Sequence, residues 1–239
     1  MKKTIYLIAI FTFLLMLPPI IMIGIGWQWT PEQQPTMKGL LWLTDTAGMP
    51  YSIITFILLT LLTLFVFRQS KAQWVKLIVI ILVCILGQQG LKSLLKSSFQ
   101  EPRPYVVWMG ATYGIDATKF YELKRSVRAD VVKDTVKSND LIPKWQRKHW
   151  QAETGYSFPS GHMLFAAGWA LLLIGLFWQR RQYTLAIFLG LWAEGIGLSR
   201  MLLGMHWPID ILTSTFISGC FALIGYAIFK SHWFERRQA

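Results

Sequence analysis

Two histidines, three cations and the carboxylate of Asp210 stand in three short clusters that interrupt an otherwise apolar chain. The first cluster carries Lys96, Arg103 and Pro104. The second is Pro159-Ser160-Gly161-His162, and the third runs from Ser199-Arg200 through His206 to Asp210. Lys96, Arg103 and Arg200, with Asp210 as the nearby carboxylate, suit a multiply charged anion, and the planar fork of Arg matches phosphate oxygens. Pro-Ser-Gly ahead of an apolar run marks a helix start. Ser160 then lies near the cap, where free N–H groups and the helix dipole favour a phosphate. His206 precedes Pro208, a favoured first helical position, which puts Asp210 in the first turn of a helix. From there the carboxylate reaches back to the imidazole, fixing its tautomer and stabilising the charged ring. That is the base-plus-orienter geometry of covalent catalysis. His162 is left to act as a general acid.

Taken singly, each feature has an ordinary alternative. A Lys at a membrane helix end is a snorkelling anchor. A lone Pro-Ser-Gly-His is a capped helix start, His206 beside Trp207 an interfacial residue, and Arg103 between prolines a loop charge. The elements that carry these residues decide between the readings.

The 239-residue chain is 54% hydrophobic and 15% charged, against about 25% charged in a soluble domain. That composition excludes a soluble enzyme, a disordered protein and a secreted disulfide scaffold. Net charge of +12 would suit a nucleic-acid binder only on a basic soluble surface, which is missing here, so nucleic acid is not a partner. Cys84 and Cys220 lie in apolar runs and have no metal-type spacing. Apolar runs at 4–27, 51–67, 74–96, 162–178, 183–203 and 208–229 approach the ~20 residues that cross a bilayer. The fold class is therefore all-α integral membrane, one domain over 1–239, with six spans and a kink at Pro18-Pro19.

With the N-terminus inside, ten basic residues fall on the cytoplasmic side: Lys2, Lys3, Arg68, Lys71, Lys76, Arg180, Arg181, Lys230, Arg236 and Arg237. The short loop between the first two spans holds only Lys38 outside. Both termini are then cytoplasmic, and all three polar clusters meet at the outer face. Chance would scatter them over both faces. The long segment 97–159 also lies outside. Within it, 116–137 reads as one amphipathic helix with Phe120, Leu123, Val127 and Val131 on its apolar side. A second short helix starts at Pro143, with Trp145 and Trp150 suited to the membrane interface. The segment reads either as a surface cap or as a lip that guides a lipid head group. Glu194, inside the fifth span, is open between a structural partner and a site residue. Asp45, Glu101 and Glu153 border the pocket region with no role fixed by spacing.

Together the clusters resemble the signature of the type 2 phosphatidic-acid phosphatase superfamily: K-x6-R-P, P-S-G-H and S-R-x5-H-x3-D. Every signature position is present, and the six-span layout extends the likeness along the chain. The sequence around Arg103 and His206 looks most like the bacterial phosphatidylglycerophosphate-hydrolysing branch. The resemblance implies a metal-independent lipid phosphatase without a cofactor. In it His206 would attack phosphorus to form a phosphohistidine, Asp210 would support it, and His162 would protonate the leaving alkoxide and then activate water. Lys96, Arg103, Ser160, Gly161 and Arg200 would hold the phosphoryl oxygens. The vanadate-dependent haloperoxidases of the same superfamily are soluble, which the spans discount.

The implied partner is a phosphorylated membrane lipid in its bilayer, with no obligate protein partner. Phosphatidylglycerophosphate is the implied substrate, with phosphatidic acid, lysophosphatidic acid and undecaprenyl pyrophosphate beside it. A dedicated undecaprenyl pyrophosphate phosphatase is the alternative enzyme, and a lipid-binding or transport bundle the alternative outside enzymes. The implied location is the bacterial inner membrane with the active site facing the periplasm.

Overall fold

The computed structural model describes residues 2–31, 37–68 and 73–231. Three of the expected cytoplasmic anchors, Lys71, Arg236 and Arg237, lie outside the described residues. Eleven helices follow in order among those described: α1 (Lys2–Gly24), α2 (Lys38–Asp45), α3 (Tyr51–Val66), α4 (Trp74–Phe99), α5 (Pro104–Tyr113), α6 (Ala117–Glu122), α7 (Arg125–Val136), α8 (Lys144–Ala152), α9 (Gly161–Gln179), α10 (Tyr183–Leu202) and α11 (Pro208–Lys230).

Of the described helices, five are long and apolar enough to cross a membrane: α1, α4, α9, α10 and α11. The second expected span, α3, is apolar but has 16 residues, about 24 Å of helix against a ~30 Å hydrocarbon layer. Pro18 and Pro19 both lie within α1. That helix stops short of residue 27 because Gly26 adopts φ +65°, and Trp27 N–H closes back on the Met22 carbonyl at 2.9 Å.

The bundle is built around α9, whose residues from Met163 to Phe177 are buried on every side. That burial fits a helix with no polar face. Helices α1, α4, α10 and α11 pack around it. Their far sides expose large apolar groups such as Ile10, Phe13, Leu86, Leu191 and Phe216, a surface that matches lipid tails and would aggregate in water. Small residues let the backbones approach. A Cβ on Gly168 would stand 2.6 Å from Gln88 Nε2 on α4. Buried Gln88 itself donates to the Cys84 carbonyl and accepts from Ser218 Oγ on α11, each at 2.6 Å. The same hydroxyl lies 3.3 Å from the Leu164 carbonyl, so α4, α9 and α11 meet at one polar point.

A second apolar core sits at one end of the bundle, formed by α5 to α8 with Trp29 and the turn between α10 and α11. It contains Tyr105, Met109, Phe120, Val132, Val136, Trp150, Leu203 and Met205. The expected single helix over 116–137 is two helices, α6 and α7, broken where Leu123 turns extended at ψ 153°. The break rotates the buried face: Val132 and Val136 are buried, whereas Leu123 and Val127 are exposed. Helix α8 does begin after Pro143. Its Trp150 is fully buried, stacked on Tyr105 at 4.7 Å, and so does not serve as an interface anchor. Helices α2 and α5 are short segments that periodicity did not reveal.

Candidate active site

The C-terminal ends of α4 and α10 and the N-terminal ends of α9 and α11 lie at the same end of the bundle as the second core. All three sequence clusters meet there. The turn after α10 needs Gly204, which takes φ +69° and whose Cβ would stand 2.6 Å from the Trp29 ring. The N–H groups of Met205 and His206 both close on the Arg200 carbonyl, at 3.0 and 3.1 Å. The turn's own carbonyls are gripped from elsewhere. Trp29 Nε1 donates to Leu202 O at 2.9 Å, Gln146 Nε2 to Leu203 O at 2.7 Å, Tyr105 N to Gly204 O at 3.0 Å, and Arg103 Nη1 to Met205 O at 3.1 Å. His206 follows directly on this clamped turn.

Pro208 opens α11, and Asp210 lies in its first turn, where its Oδ2 meets His206 Nδ1 at 3.1 Å and accepts from Trp207 N–H at 3.0 Å. With the ring proton on Nδ1, Nε2 keeps its lone pair. Burial, together with the positive charge of Arg103, Arg200, Lys96 and His162, holds His206 well below the ordinary imidazole pKa. The ring is therefore neutral near pH 7.

Arg200 is fully buried and Arg103 nearly so. Their carboxylate partner is Glu153, just beyond α8, while Asp210 serves His206. Glu153 Oε2 lies 2.6 Å from Arg200 Nη2 and 3.4 Å from Arg103 Nη2, and Oε1 lies 3.3 Å from Arg200 Nη1. Burial pushes the Glu153 carboxyl up, but the guanidiniums of Arg200 and Arg103 outweigh it and hold the group well below the usual range. His149 Nε2 lies 3.2 Å from Arg200 Nη1. Burial lowers His149 to about 4, so it is neutral and accepts that bond. Arg103 Nε donates to Gly155 O at 2.7 Å. Lys96 Nζ donates to the Tyr156 carbonyl and, at 3.3 Å, to Ser157 O.

Ser160 caps α9, its hydroxyl accepting from Met163 N–H at 3.3 Å. Its own N–H donates to Ser214 Oγ at 2.9 Å, and Ser214 donates on to Asp210 O at 2.6 Å. Ser160 is thus the cap that the sequence places there, with its own N–H already bonded. Gly161 and His162 keep the N–H groups that a first helical turn leaves over. His162 Nε2 lies 3.6 Å from Glu153 Oε1. Gly48, in the turn between α2 and α3, sits so close that a Cβ there would stand 2.6 Å from His162 Nε2. From His162, Gly161 and Lys92 an apolar groove of about 460 Å³ runs along Ala47, Ile53, Phe56, Leu86 and Phe165.

Every candidate site residue is thus brought to one place: His206, His162, Asp210, Lys96, Arg103, Ser160, Gly161 and Arg200. Glu153, His149 and Gly48 join them without having been assigned. His149 and Glu153 stand four apart, which puts both on one helical face, and that spacing was the available signal. Glu194 is elsewhere, half-exposed in an apolar groove between α1 and α10 with Leu14, Pro18 and Leu191. The segment 97–159 is a cap that also supplies site residues, Arg103, His149 and Glu153. Among the described residues no group of three or more His, Cys, Asp or Glu side chains is placed to hold a metal ion.

Comparison with known proteins gives concordant matches. The sequence profile of the PAP2 superfamily matches residues 77–234. The chain is 44% identical over 222 residues to phosphatidylglycerophosphatase B of Escherichia coli (strain K12), covering 92% of this chain and 86% of that protein. It is 35% identical over 230 residues to phosphatidylglycerophosphatase B of Haemophilus influenzae, covering 93% and 95%. A shorter match, 40% over 65 residues, is to lipid A 4'-phosphatase of Bacteroides thetaiotaomicron, covering 27% of this chain and 28% of that protein.

Proposed function

We propose, on the premise that this chain belongs to the PAP2 superfamily, that it is a membrane lipid phosphatase acting on phosphatidylglycerophosphate. The observation that carries this reading is the neutral His206 held by Asp210 at the depth where Lys96, Arg103 and Arg200 converge. The substrate is supported by two near-full-length relatives that bear the name phosphatidylglycerophosphatase B.

In this mechanism His206 Nε2 attacks phosphorus, and the phosphorus–oxygen bond to the glycerol breaks. His162 gives its proton to the leaving alkoxide, releasing phosphatidylglycerol. His162 then takes a proton from water, whose oxygen attacks the phosphohistidine. Inorganic phosphate leaves, and the His206 lone pair is restored. Arg200, Arg103 and Lys96 with the Gly161 N–H hold the phosphoryl oxygens as charge spreads over them. Ser160 contributes by capping α9 and fixing Gly161. The lipid tails lie in the groove that ends at His162, and the head group turns in toward Arg200.

The topology in this reading has six spans. α3 serves as the second by locally thinning the bilayer, which a short helix requires. Both termini are cytoplasmic, and the site faces the periplasm across the inner membrane. Phosphatidic acid, lysophosphatidic acid and undecaprenyl pyrophosphate share the phosphoryl group that the site reads.

A phosphate-release panel over these four lipids tests the function, with His206→Ala as the control. Phosphatidylglycerophosphate is expected to show the highest kcat/KM, and His206→Ala to abolish release from all four while remaining folded. Turnover by that variant would overturn the mechanism; a higher kcat/KM for undecaprenyl pyrophosphate would reassign the substrate. Activity is expected to survive EDTA, and its loss there would reveal a metal requirement.

A further inference from the structure

An anion already stands among the site's cations. The Glu153 carboxylate makes a two-oxygen contact with the Arg200 fork, at 2.6 and 3.3 Å, and its Oε2 also reaches Arg103. Its Oε1 lies 3.6 Å from His162 Nε2 and 3.8 Å from His149 Nε2. The backbone that follows continues the pattern, with Gly155 O on Arg103 and the Tyr156 and Ser157 carbonyls on Lys96. One stretch, 153–157, therefore supplies an acceptor to each of the three cations. Glu153 is also more accessible than the guanidiniums it meets, its side chain 23% exposed against 6% for Arg103 and 0% for Arg200. The carboxylate does not saturate the donors it covers. Arg200 Nε is buried and has no hydrogen-bond partner among the described residues, so the guanidinium keeps a donor that Glu153 does not use.

We propose that Glu153 is a specificity-determining residue: a built-in counter-anion that a phosphate monoester dianion displaces from Arg200 and Arg103, and that a singly charged phosphodiester does not. The inference rests on the lipid-phosphatase reading above. A site that draws its substrate from a bilayer meets phosphodiester head groups in large excess over any monoester. Each such head group carries one negative charge, the same as the carboxylate it would have to replace. The carboxylate is tethered, so its effective concentration at the guanidiniums is high and exchange brings the diester no advantage. A terminal phosphate brings a second charge and a third free oxygen, enough to reach Arg200 Nε as well. The product, phosphatidylglycerol, is itself a singly charged diester, so the returning carboxylate also clears it. Discrimination here comes from an element that repels the wrong ligand as much as from contacts to the right one.

The test compares the whole protein and Glu153→Gln in mixed micelles, with phosphatidylglycerophosphate as substrate and phosphatidylglycerol as added inhibitor. The ratio of the inhibitor's Ki to the substrate's KM is expected to fall about tenfold or more in Glu153→Gln. Glu153→Asp, charged but one methylene shorter, is expected to stay within about threefold of the wild-type ratio. An unchanged ratio in Glu153→Gln overturns the inference, as does an equal fall in Glu153→Asp. The wild-type protein provides a reading that needs no variant. Inorganic phosphate is expected to inhibit it at least about tenfold more tightly than dimethyl phosphate, and equal inhibition overturns the inference. Absence of phosphate release by the wild type would instead sink the phosphatase reading itself.

Discussion

The bundle and the cap each enclose an apolar core, yet they satisfy their polar groups in opposite ways. In the bundle, hydroxyls turn inward on their own helix. Thr12, Thr60, Thr63 and Thr215 each donate to the carbonyl four residues back, at 2.7 to 2.8 Å. Lipid offers no alternative partner, so these hydroxyls close on their own helix, and the bond from Ser218 to Gln88 is an exception that crosses between helices. In the cap, side chains reach across the sequence. Arg103 bonds to Met205 O, Gln146 and Trp150 to Leu203 O, and Arg200 to Glu153. The difference separates two tasks: the bundle sets the depth and facing of the signature residues, and the cap sets the charge around them.

That division can be broken experimentally. Trp150→Ala removes the centre of the cap core and its bond to Leu203 O at 3.1 Å, an expected loss of about 3–5 kcal/mol. Limited proteolysis within 104–152 should then begin at a lower temperature, with the helical signal of the bundle retained. Simultaneous loss of both would make cap and bundle one cooperative unit. Arg200→Lys loses the planar fork at the junction of the two regions. Phosphate release should fall about 10²–10³-fold with little change in thermal unfolding, and a fall of less than about tenfold would deny Arg200 its place. Gly48→Ala pushes a methyl toward His162 Nε2. A displacement of that kind is expected to reduce kcat by about 10–10²-fold. An unaltered kcat would show that the α2–α3 turn yields freely. The smallest effect is expected deep in the bundle. Ser218→Ala removes a partner of Gln88, which should lower stability by roughly 0.6 kcal/mol and leave KM and kcat as they are.

The same division explains what the sequence disclosed. The signature residues were legible because their spacing places them at helix ends, and helix ends in a membrane chain can only be at one face or the other. His206, Pro208 and Asp210 fall within one turn, so local geometry sufficed for that pair. Glu153 was not legible as the partner of Arg200, because 47 residues separate them and no periodicity links α8 to α10. The break at Leu123 was hidden for a related reason: the apolar spacing runs through it, and only packing into the second apolar core selects Val132 and Val136 instead. The all-round burial of α9 was likewise a property of its neighbours, since α1 is as apolar and lies mostly exposed.

The order of the site residues along the chain also gives them an order in time. A chain made from its N-terminus completes Lys96 and Arg103 first, then Glu153 and His162. Arg200 follows, and His206 comes last with Asp210, on the first turn of α11. On the proposed roles, an unfinished chain carries the cations and Glu153 before it carries the His206–Asp210 pair. On the mechanism proposed above, hydrolysis would begin only once α11 is in place and the turn ahead of it has been clamped.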